Sequence, residues 1–216
     1  MVDTDAKSGG FTSSLQHKGW LVDSVTTASD VTVQRELRDG IMGGTYDHVA
    51  LFLPFEVTKD SGRIMISIVA ALALVAHKSG VLFTIIGGGS DTAKFVWTLK
   101  PMVILKQTTC ALETLFPLCS FGVHTSLRMM IWTTSELVRS KFADLECTHS
   151  SHASSDTLPR LPEAVSTALA QAIASTTITD VKPEFTTKID GIHPIFAARY
   201  PRGTTRPRLA YIGDRC

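Results

Sequence analysis

The sequence contains no asparagine, and its four cysteines (Cys110, Cys119, Cys147 and Cys216) include no C-x-x-C pair. The first absence excludes N-glycosylation, and the second favours reduced thiols over a disulfide framework. Neither charge is in excess, because 21 basic and 20 acidic residues give a net charge of +1. We therefore expect neither a nucleic acid nor a membrane surface as the main partner.

Long apolar segments are also missing. The longest run, IMISIVAALALVA at residues 64–76, has 13 residues and is too short to cross a hydrocarbon layer of about 30 Å. The N-terminal stretch MVDTDAKSGGFTSS lacks the basic-then-apolar pattern of a signal peptide, so a cytoplasmic location is expected. With 44% hydrophobic residues in a chain of 216, a sizeable core is expected.

Short apolar strands alternate with helical patterns along the first half of the chain, and this alternation predicts an α/β fold with a mostly parallel sheet. The predicted strands are residues 81–86 and the MVILK segment at 102–106, and short apolar stretches also occur at 20–25 and 48–55. The predicted helices are residues 30–40, 63–78 (ending at Gly80), 92–99 (ending before Pro101) and 162–175. The signal weakens after Gly122, and residues 146–162 have the composition of a linker or loop.

Three consecutive glycines (Gly87, Gly88 and Gly89) follow the strand at 81–86 and precede a helical pattern. Without Cβ atoms, such a turn lets the backbone approach a ligand, and the helix N-terminus behind it suits a phosphate group. A tight strand-to-helix turn with no ligand is the alternative, and it stays open. The segment is neither a Walker A loop nor a G-x-G-x-x-G fingerprint.

GGGSDTAK (87–94) resembles the G-G-G-S-x-x-D-x-A-K signature of the iron-containing alcohol dehydrogenase superfamily, with the two residues between Ser and Asp missing. TYDHVALFLPFEV (45–57) and KPMVILKQTTCALETLFP (100–117) are similar to segments of the maleylacetate reductase branch. The likeness extends over about residues 18–118 and fades at residues 157–175.

The resemblance implies a Rossmann-like, mostly parallel sheet domain at residues 1–155, followed by the beginning of a helical domain and an irregular basic tail at 156–216. It implies an NAD(P)H-dependent oxidoreductase that transfers hydride to a small carboxylated carbonyl or enol substrate. If this chain forms only half of the active site, a second copy in a homodimer would complete it. An inactive nucleotide-binding or interaction module of the same fold, and a plain phosphate-ester-binding protein, are the alternatives.

The cofactor-binding positions also follow from the resemblance. They are Gly87, Gly88, Gly89, Ser90, Asp91, Lys94, Thr108 and Thr109, with Asp23 and Ser24 near the adenosine end. The family's metal ligands correspond to Thr167 and Gln171, which bind iron or zinc poorly, so a metal cofactor is not expected.

Other residues have weaker patterns. Cys147, His149 and His152 supply three metal-ligand types in one serine-rich segment, but a site needs a fourth ligand, so a solvated loop is the preferred interpretation.

His48 is either a proton donor or a buried, hydrogen-bonded histidine. His77 and His124 have less support as functional residues. The arginines of RYPRGTTRPR (199–208) are interpreted as a solvated tail rather than a phosphate or RNA site.

Overall fold

The computed structural model describes residues 11–25, 30–53, 61–89, 94–147, 149, 151–152, 161–176 and 208–212. Its helices are α1 (Phe11–His17), α2 (Val31–Met42), α3 (Ser61–Lys78), α4 (Lys94–Thr98), α5 (Lys100–Thr109), α6 (Glu136–Ala143) and α7 (Glu163–Ala174). Its strands are β1 (Leu21–Val25), β2 (His48–Phe52), β3 (Leu82–Gly88), β4 (Leu112–Pro117), β5 (Arg128–Thr133) and β6 (Arg208–Ile212). A short 3-10 turn, Leu118–Phe121, follows β4.

The α/β prediction is confirmed, and the sheet is mixed. Its strand order is β1-β6-β2-β3-β5-β4. The pairs β1–β6, β6–β2 and β2–β3 are parallel, whereas β3–β5 and β5–β4 are antiparallel. The antiparallel pairs arise because β4 and β5 are joined directly rather than by a crossover helix. As a result, the ends of β3 and β4 and the start of β5 lie at one edge, which we call the carboxyl edge.

Helices cover both faces of the sheet. On one face α2, α3 and α5 enclose a core that includes Leu51, Phe83 and Trp132, and on the other α1, α6 and α7 enclose a second core around Phe116 and Ile131. Helix α7 therefore packs on the same sheet as the first half of the chain, and β6 lies between β1 and β2.

The predictions of helices α2 and α3 are confirmed, except that α2 does not end at Gly40 but continues to Met42. Asp30 caps α2, because its side chain accepts a hydrogen bond of 2.8 Å from the Thr32 amide. Helix α3 buries Ile66, Val69 and Ala73 at helical spacing, and the chain leaves it at Gly80, whose φ of 69° is typical of a residue after a helix C-terminus.

The predicted strand MVILK is wrong, because residues 102–106 lie within helix α5. Pro101 occupies the first turn of that helix, where its missing N–H has no intrahelical partner to lose. The buried residues of α5 are Met102, Leu105 and Thr109, at spacings of three and four that fit a helix rather than a strand. Strand β5 and helix α6, after Gly122, had no sequence prediction.

None of the helices in the described part of the chain is both long and apolar enough to cross a membrane.

Candidate metal centre

Two cysteines and two histidines meet at the carboxyl edge of the sheet. The ligand atoms of Cys119, Cys147, His149 and His152 all lie within 4.8 Å of one another. Three of these residues belong to the segment singled out in the sequence, and Cys119 supplies the fourth group that the segment lacked. We call these four residues the Cys/His cluster.

Cys119 is held in place by the end of β4. It lies in the 3-10 turn that follows this strand, and the turn ends at Gly122 with φ of 76°, a conformation that glycine adopts without strain. The Gly122 amide donates a hydrogen bond of 3.0 Å to the Cys119 carbonyl. The Cys119 side chain is buried, so this part of the cluster is fixed by the core.

Three aromatic rings join the two chain segments that supply the cluster. Phe116 from β4 packs against Phe142 from the end of α6, with ring centroids 4.8 Å apart. Phe121 from the 3-10 turn lies 5.7 Å from Phe116 and 5.9 Å from Phe142. Residues 118–121 and the segment that follows α6 are therefore held together by packing, without any ligand.

The segment after α6 is also tied to the 3-10 turn by polar contact. The Ser120 hydroxyl donates a hydrogen bond of 3.0 Å to the Glu146 carbonyl, directly before Cys147. Leu145 is partly buried against the core that contains Phe116. These contacts place Cys147 beside Cys119, although the two are distant in sequence.

Inside the cluster the side chains already contact one another. The Cys147 sulfur lies 2.9 Å from His152 Nε2, and the rings of His149 and His152 have centroids 5.4 Å apart. The exposed His124 ring lies beside the cluster, 6.3 Å from that of His149. Cys147 and His149 are exposed, so solvent and ions reach the cluster from one side.

The electrostatics of Cys119 favour the neutral thiol when no ion is bound. Burial, followed by a hydrogen bond and charge interaction with Cys147, raises the pKa of the Cys119 thiol. A divalent cation binds the thiolate, so binding would displace this proton.

The donor set fits zinc. In a tetrahedral zinc site, Zn–S bonds of about 2.3 Å and Zn–N bonds of about 2.0 Å place neighbouring ligand atoms about 3.3–3.8 Å apart. The cluster atoms lie within 4.8 Å of one another, and Cys147 Sγ and His152 Nε2 are 2.9 Å apart, so shifts of about 1 Å or less, which shorten some of these distances and lengthen this one, would reach this geometry. Thiolate and imidazole are poor ligands for magnesium and calcium, which prefer oxygen.

The glycine motif lies at the same sheet edge, at the end of β3. One strand, β5, separates β3 from β4, so the two strands are about 10 Å apart. Gly87 and Gly88 are the last residues of β3 rather than a turn, and they pair with Met130 and Met129 of β5. The Gly89 amide donates a hydrogen bond of 2.8 Å to the Arg128 carbonyl, which continues the pairing. Strand β3 is therefore longer than the predicted residues 81–86.

Protein atoms occupy the space that these glycines leave. A Cβ at Gly87 would lie 2.9 Å from Leu53 Cβ and 3.2 Å from the Trp97 ring. A Cβ at Gly89 would lie 3.0 Å from the backbone carbon of Met129. Neither glycine has a positive φ, so close packing within the protein explains both.

Of the other predicted cofactor residues that the structure describes, the threonine pair does not lie beside the glycines. Ser90 and Asp91 lie outside the described residues, and Lys94 begins the five-residue helix α4. The Thr108 and Thr109 hydroxyls each donate to a carbonyl of their own helix α5.

The register of the sheet separates the threonine pair from the glycines. Helix α5 leads into Leu112, which is level with Thr84 at the start of β3, whereas Gly88 is level with the end of β4. Thr84 and Gly88 are four residues apart, a rise of about 13 Å along the strand. The two groups of residues therefore lie at opposite edges of the sheet.

His48 matches the second of its two interpretations, because it is fully buried and hydrogen-bonded at the start of β2. Its Nε2 lies 2.9 Å from Thr84 Oγ1, which lies 2.8 Å from Thr133 Oγ1, and the Thr133 hydroxyl donates to the Phe83 carbonyl. Since each hydroxyl has one proton, Nε2 is the protonated nitrogen. Burial lowers the pKa of His48 to about 3, so the ring is neutral.

Among the described residues, the remaining candidates lie on separate elements. Thr167 and Gln171 lie on helix α7, and Asp23 and Ser24 on β1. Burial lowers the pKa of His77 at the end of α3. Of the tail arginines, Arg199, Arg202 and Arg206 lie outside the described residues, and Arg208 begins β6.

Comparisons with protein-family models, with curated proteins and with solved structures return no match for this chain. The resemblance to the alcohol dehydrogenase superfamily therefore stays a prediction, as do the NAD(P)H cofactor and the substrate.

Proposed function

We propose that this protein binds one Zn²⁺ ion at the Cys/His cluster and that the ion has a structural role. The observation that carries the proposal is the convergence of Cys119, Cys147, His149 and His152, with all four ligand atoms within 4.8 Å. This is the Cys₂His₂ donor set of structural zinc sites.

The number of ligands favours a structural role over a catalytic one. Catalytic zinc sites offer three protein ligands and leave one position for water or substrate, whereas structural sites are closed by four. The cluster supplies four. The ring of His124, a further imidazole in the described part of the chain, is 6.3 Å from that of His149 by centroid, which suits an outer neighbour of the site.

The ion would cross-link two segments that the core holds only in part. Cys119 is fixed on the 3-10 turn after β4, whereas Cys147 and His149 are exposed on the segment that follows α6. A four-ligand ion would hold this exposed segment against the sheet edge. Because the unfolded chain lacks the assembled site, the free energy of zinc binding would add to the free energy of unfolding.

Zinc titration of the metal-free protein tests the proposal. The protein competes with a chromophoric chelator of known affinity, and the stoichiometry and Kd are read from the chelator absorbance. We expect one tight site per chain. Cys119→Ser should weaken binding at least about 100-fold, because a three-ligand site remains.

Cys110→Ser is the matched control. Cys110 is an exposed free cysteine at the end of α5, so its replacement should leave the zinc Kd unchanged. Equal zinc binding by the wild-type protein and the Cys119→Ser variant would overturn the proposal.

A further inference from the structure

We infer that the Cys/His cluster has a second chemical state: in the metal-free protein it is a dithiol that a hydroperoxide converts to a Cys119–Cys147 disulfide. The inference rests on the proposed function only for the zinc-bound state, in which both sulfurs are ligands. The disulfide state rests on the arrangement of the two thiols and one imidazole.

Cys147 has the surroundings of a reactive thiol. Its side chain is exposed, so a small oxidant reaches the sulfur directly. His152 Nε2 lies 2.9 Å from this sulfur and is placed to accept the thiol proton during attack. Cys110 is equally a free, exposed cysteine, but no imidazole contact to its sulfur is found among the described residues.

Cys119 has the position of a resolving cysteine. It is buried, and its sulfur lies within 4.8 Å of the Cys147 sulfur. The two sulfurs need to approach to about 2.05 Å in a disulfide. Because Cys119 is held by the core, this approach would move the exposed Cys147.

The first step consumes one hydroperoxide. The Cys147 sulfur attacks a peroxide oxygen, so that an S–O bond forms and the O–O bond breaks. His152 takes the Cys147 proton and passes it to the departing oxygen, which leaves as water or an alcohol. Cys147 is now a sulfenic acid, oxidised by two electrons, and the peroxide is reduced by two.

The second step needs no further oxidant. The Cys119 sulfur attacks the Cys147 sulfur, so that an S–S bond forms and the S–O bond breaks. The released hydroxide takes the Cys119 proton and leaves as water. The products are one disulfide, one water and one molecule of water or alcohol. Because both sulfurs are used, zinc binding and the disulfide exclude one another.

The test treats the metal-free full-length protein with hydrogen peroxide and follows each cysteine by alkylation, digestion and mass spectrometry. We expect Cys147 to be lost at least about tenfold faster than Cys110, and a cross-linked Cys119–Cys147 peptide to appear at the same rate. In Cys119→Ser the fast loss of Cys147 should persist, but the product should be a sulfenic acid that dimedone traps. In Cys147→Ser, which changes an exposed residue, the fast phase should disappear.

Two results would overturn the inference. One is oxidation of Cys147 no faster than that of Cys110, and the other is a disulfide from Cys147 to any cysteine other than Cys119. Failure of the proposed function gives a different result. If zinc does not bind, the metal-free protein still forms the disulfide, whereas zinc binding without disulfide formation contradicts only the inference.

Discussion

The glycine motif and the Cys/His cluster lie at the same edge of one sheet, but the structure explains their residue types differently. The glycines are contiguous in sequence, yet Leu53, Trp97 and the β5 backbone fill the space beside Gly87 and Gly89. The cluster joins the remote Cys119 to three residues of one short segment, and its ligand atoms converge on one small volume. Gly87 and Gly89 thus have a packing explanation, whereas the candidate site depends on a residue far away in the sequence.

The largest effect should come from removing a cluster ligand in the presence of zinc. At a free zinc concentration 1,000-fold above Kd, binding to the folded state alone adds about 4 kcal/mol to the free energy of unfolding. Cys119→Ala should lose this zinc-dependent stabilisation, whereas Cys110→Ala should keep it. Urea unfolding with and without zinc measures the difference, and an equal zinc effect in both variants would contradict the role of Cys119.

At the glycine end, Gly89→Ala should lower the free energy of unfolding by about 2–3 kcal/mol, because the new Cβ meets the β5 backbone and overpacks the site. The loss should be the same with and without zinc. Gly122→Ala is the comparison: nothing lies within 4 Å, but its φ of 76° should cost about 1 kcal/mol. If Gly89→Ala left the free energy of unfolding unchanged, close packing would not explain the glycine at this position.

The buried His48 should make the stability of the metal-free protein depend on pH in the acid range. The pKa of His48 is lowered from 6.5 to about 3, so the unfolded chain binds a proton that the folded state rejects. Stability is therefore full above pH 6.5 and falls as the pH drops from 6.5 towards 3, by about 2 kcal/mol at pH 5.

His48→Gln keeps a donor for Thr84 and should flatten this part of the pH profile. Chemical unfolding across pH 4–8 compares this variant with the wild-type protein. If His48→Gln retained the wild-type slope, His48 would not be the group that titrates.

A smaller effect is expected at Trp97, whose indole Nε1 donates a hydrogen bond of 2.8 Å to the Gly88 carbonyl. Trp97→Phe removes this bond and should destabilise the protein by about 1 kcal/mol for the hydrogen bond, with a further loss from the smaller ring. The zinc Kd should not change. A large change in zinc affinity would show that the glycine motif and the Cys/His cluster are energetically coupled.

Binding of a dinucleotide at the glycine motif would contradict the contrast drawn between the glycines and the Cys/His cluster. The resemblance predicts saturable energy transfer from tryptophan to NADH or NADPH, weakened by replacing Ser90 or Lys94. The packing around Gly87 and Gly89 leads us to expect no saturable signal at either cofactor. A fluorescence titration distinguishes these two expectations. Saturable binding would support a cofactor-binding role for the glycine motif.

The sequence predicted the elements whose patterns are local. Helix α3 is an apolar run with a terminating Gly80, and Asp30 before α2 is a standard cap, so both follow from spacing and capping. The MVILK error arose because a short apolar run does not distinguish a strand from a helix, and Pro101 fits the first turn of a helix as well as a break.

The site was predictable only in part, because its assembly is not local. Cys147, His149 and His152 are close in sequence, and their residue types indicate three possible metal ligands. Cys119 has no such signal: it reaches them because Phe116 and Phe121 pack against Phe142, which is a tertiary contact. Periodicity likewise cannot show that β5 pairs between β3 and β4, and this pairing sets the edge where the cluster lies.

The absorption spectrum of the Co²⁺-loaded protein tests the zinc site most directly, because cobalt reports the ligands and geometry that zinc hides. Metal-free protein would be titrated with Co²⁺ and then with Zn²⁺, beside the Cys119→Ser and Cys110→Ser variants. We predict one equivalent of cobalt, intense tetrahedral ligand-field bands, thiolate-to-cobalt charge transfer that Cys119→Ser reduces, and complete displacement by zinc. Weak octahedral bands without thiolate charge transfer, or a spectrum unaffected by Cys119→Ser, would contradict the account.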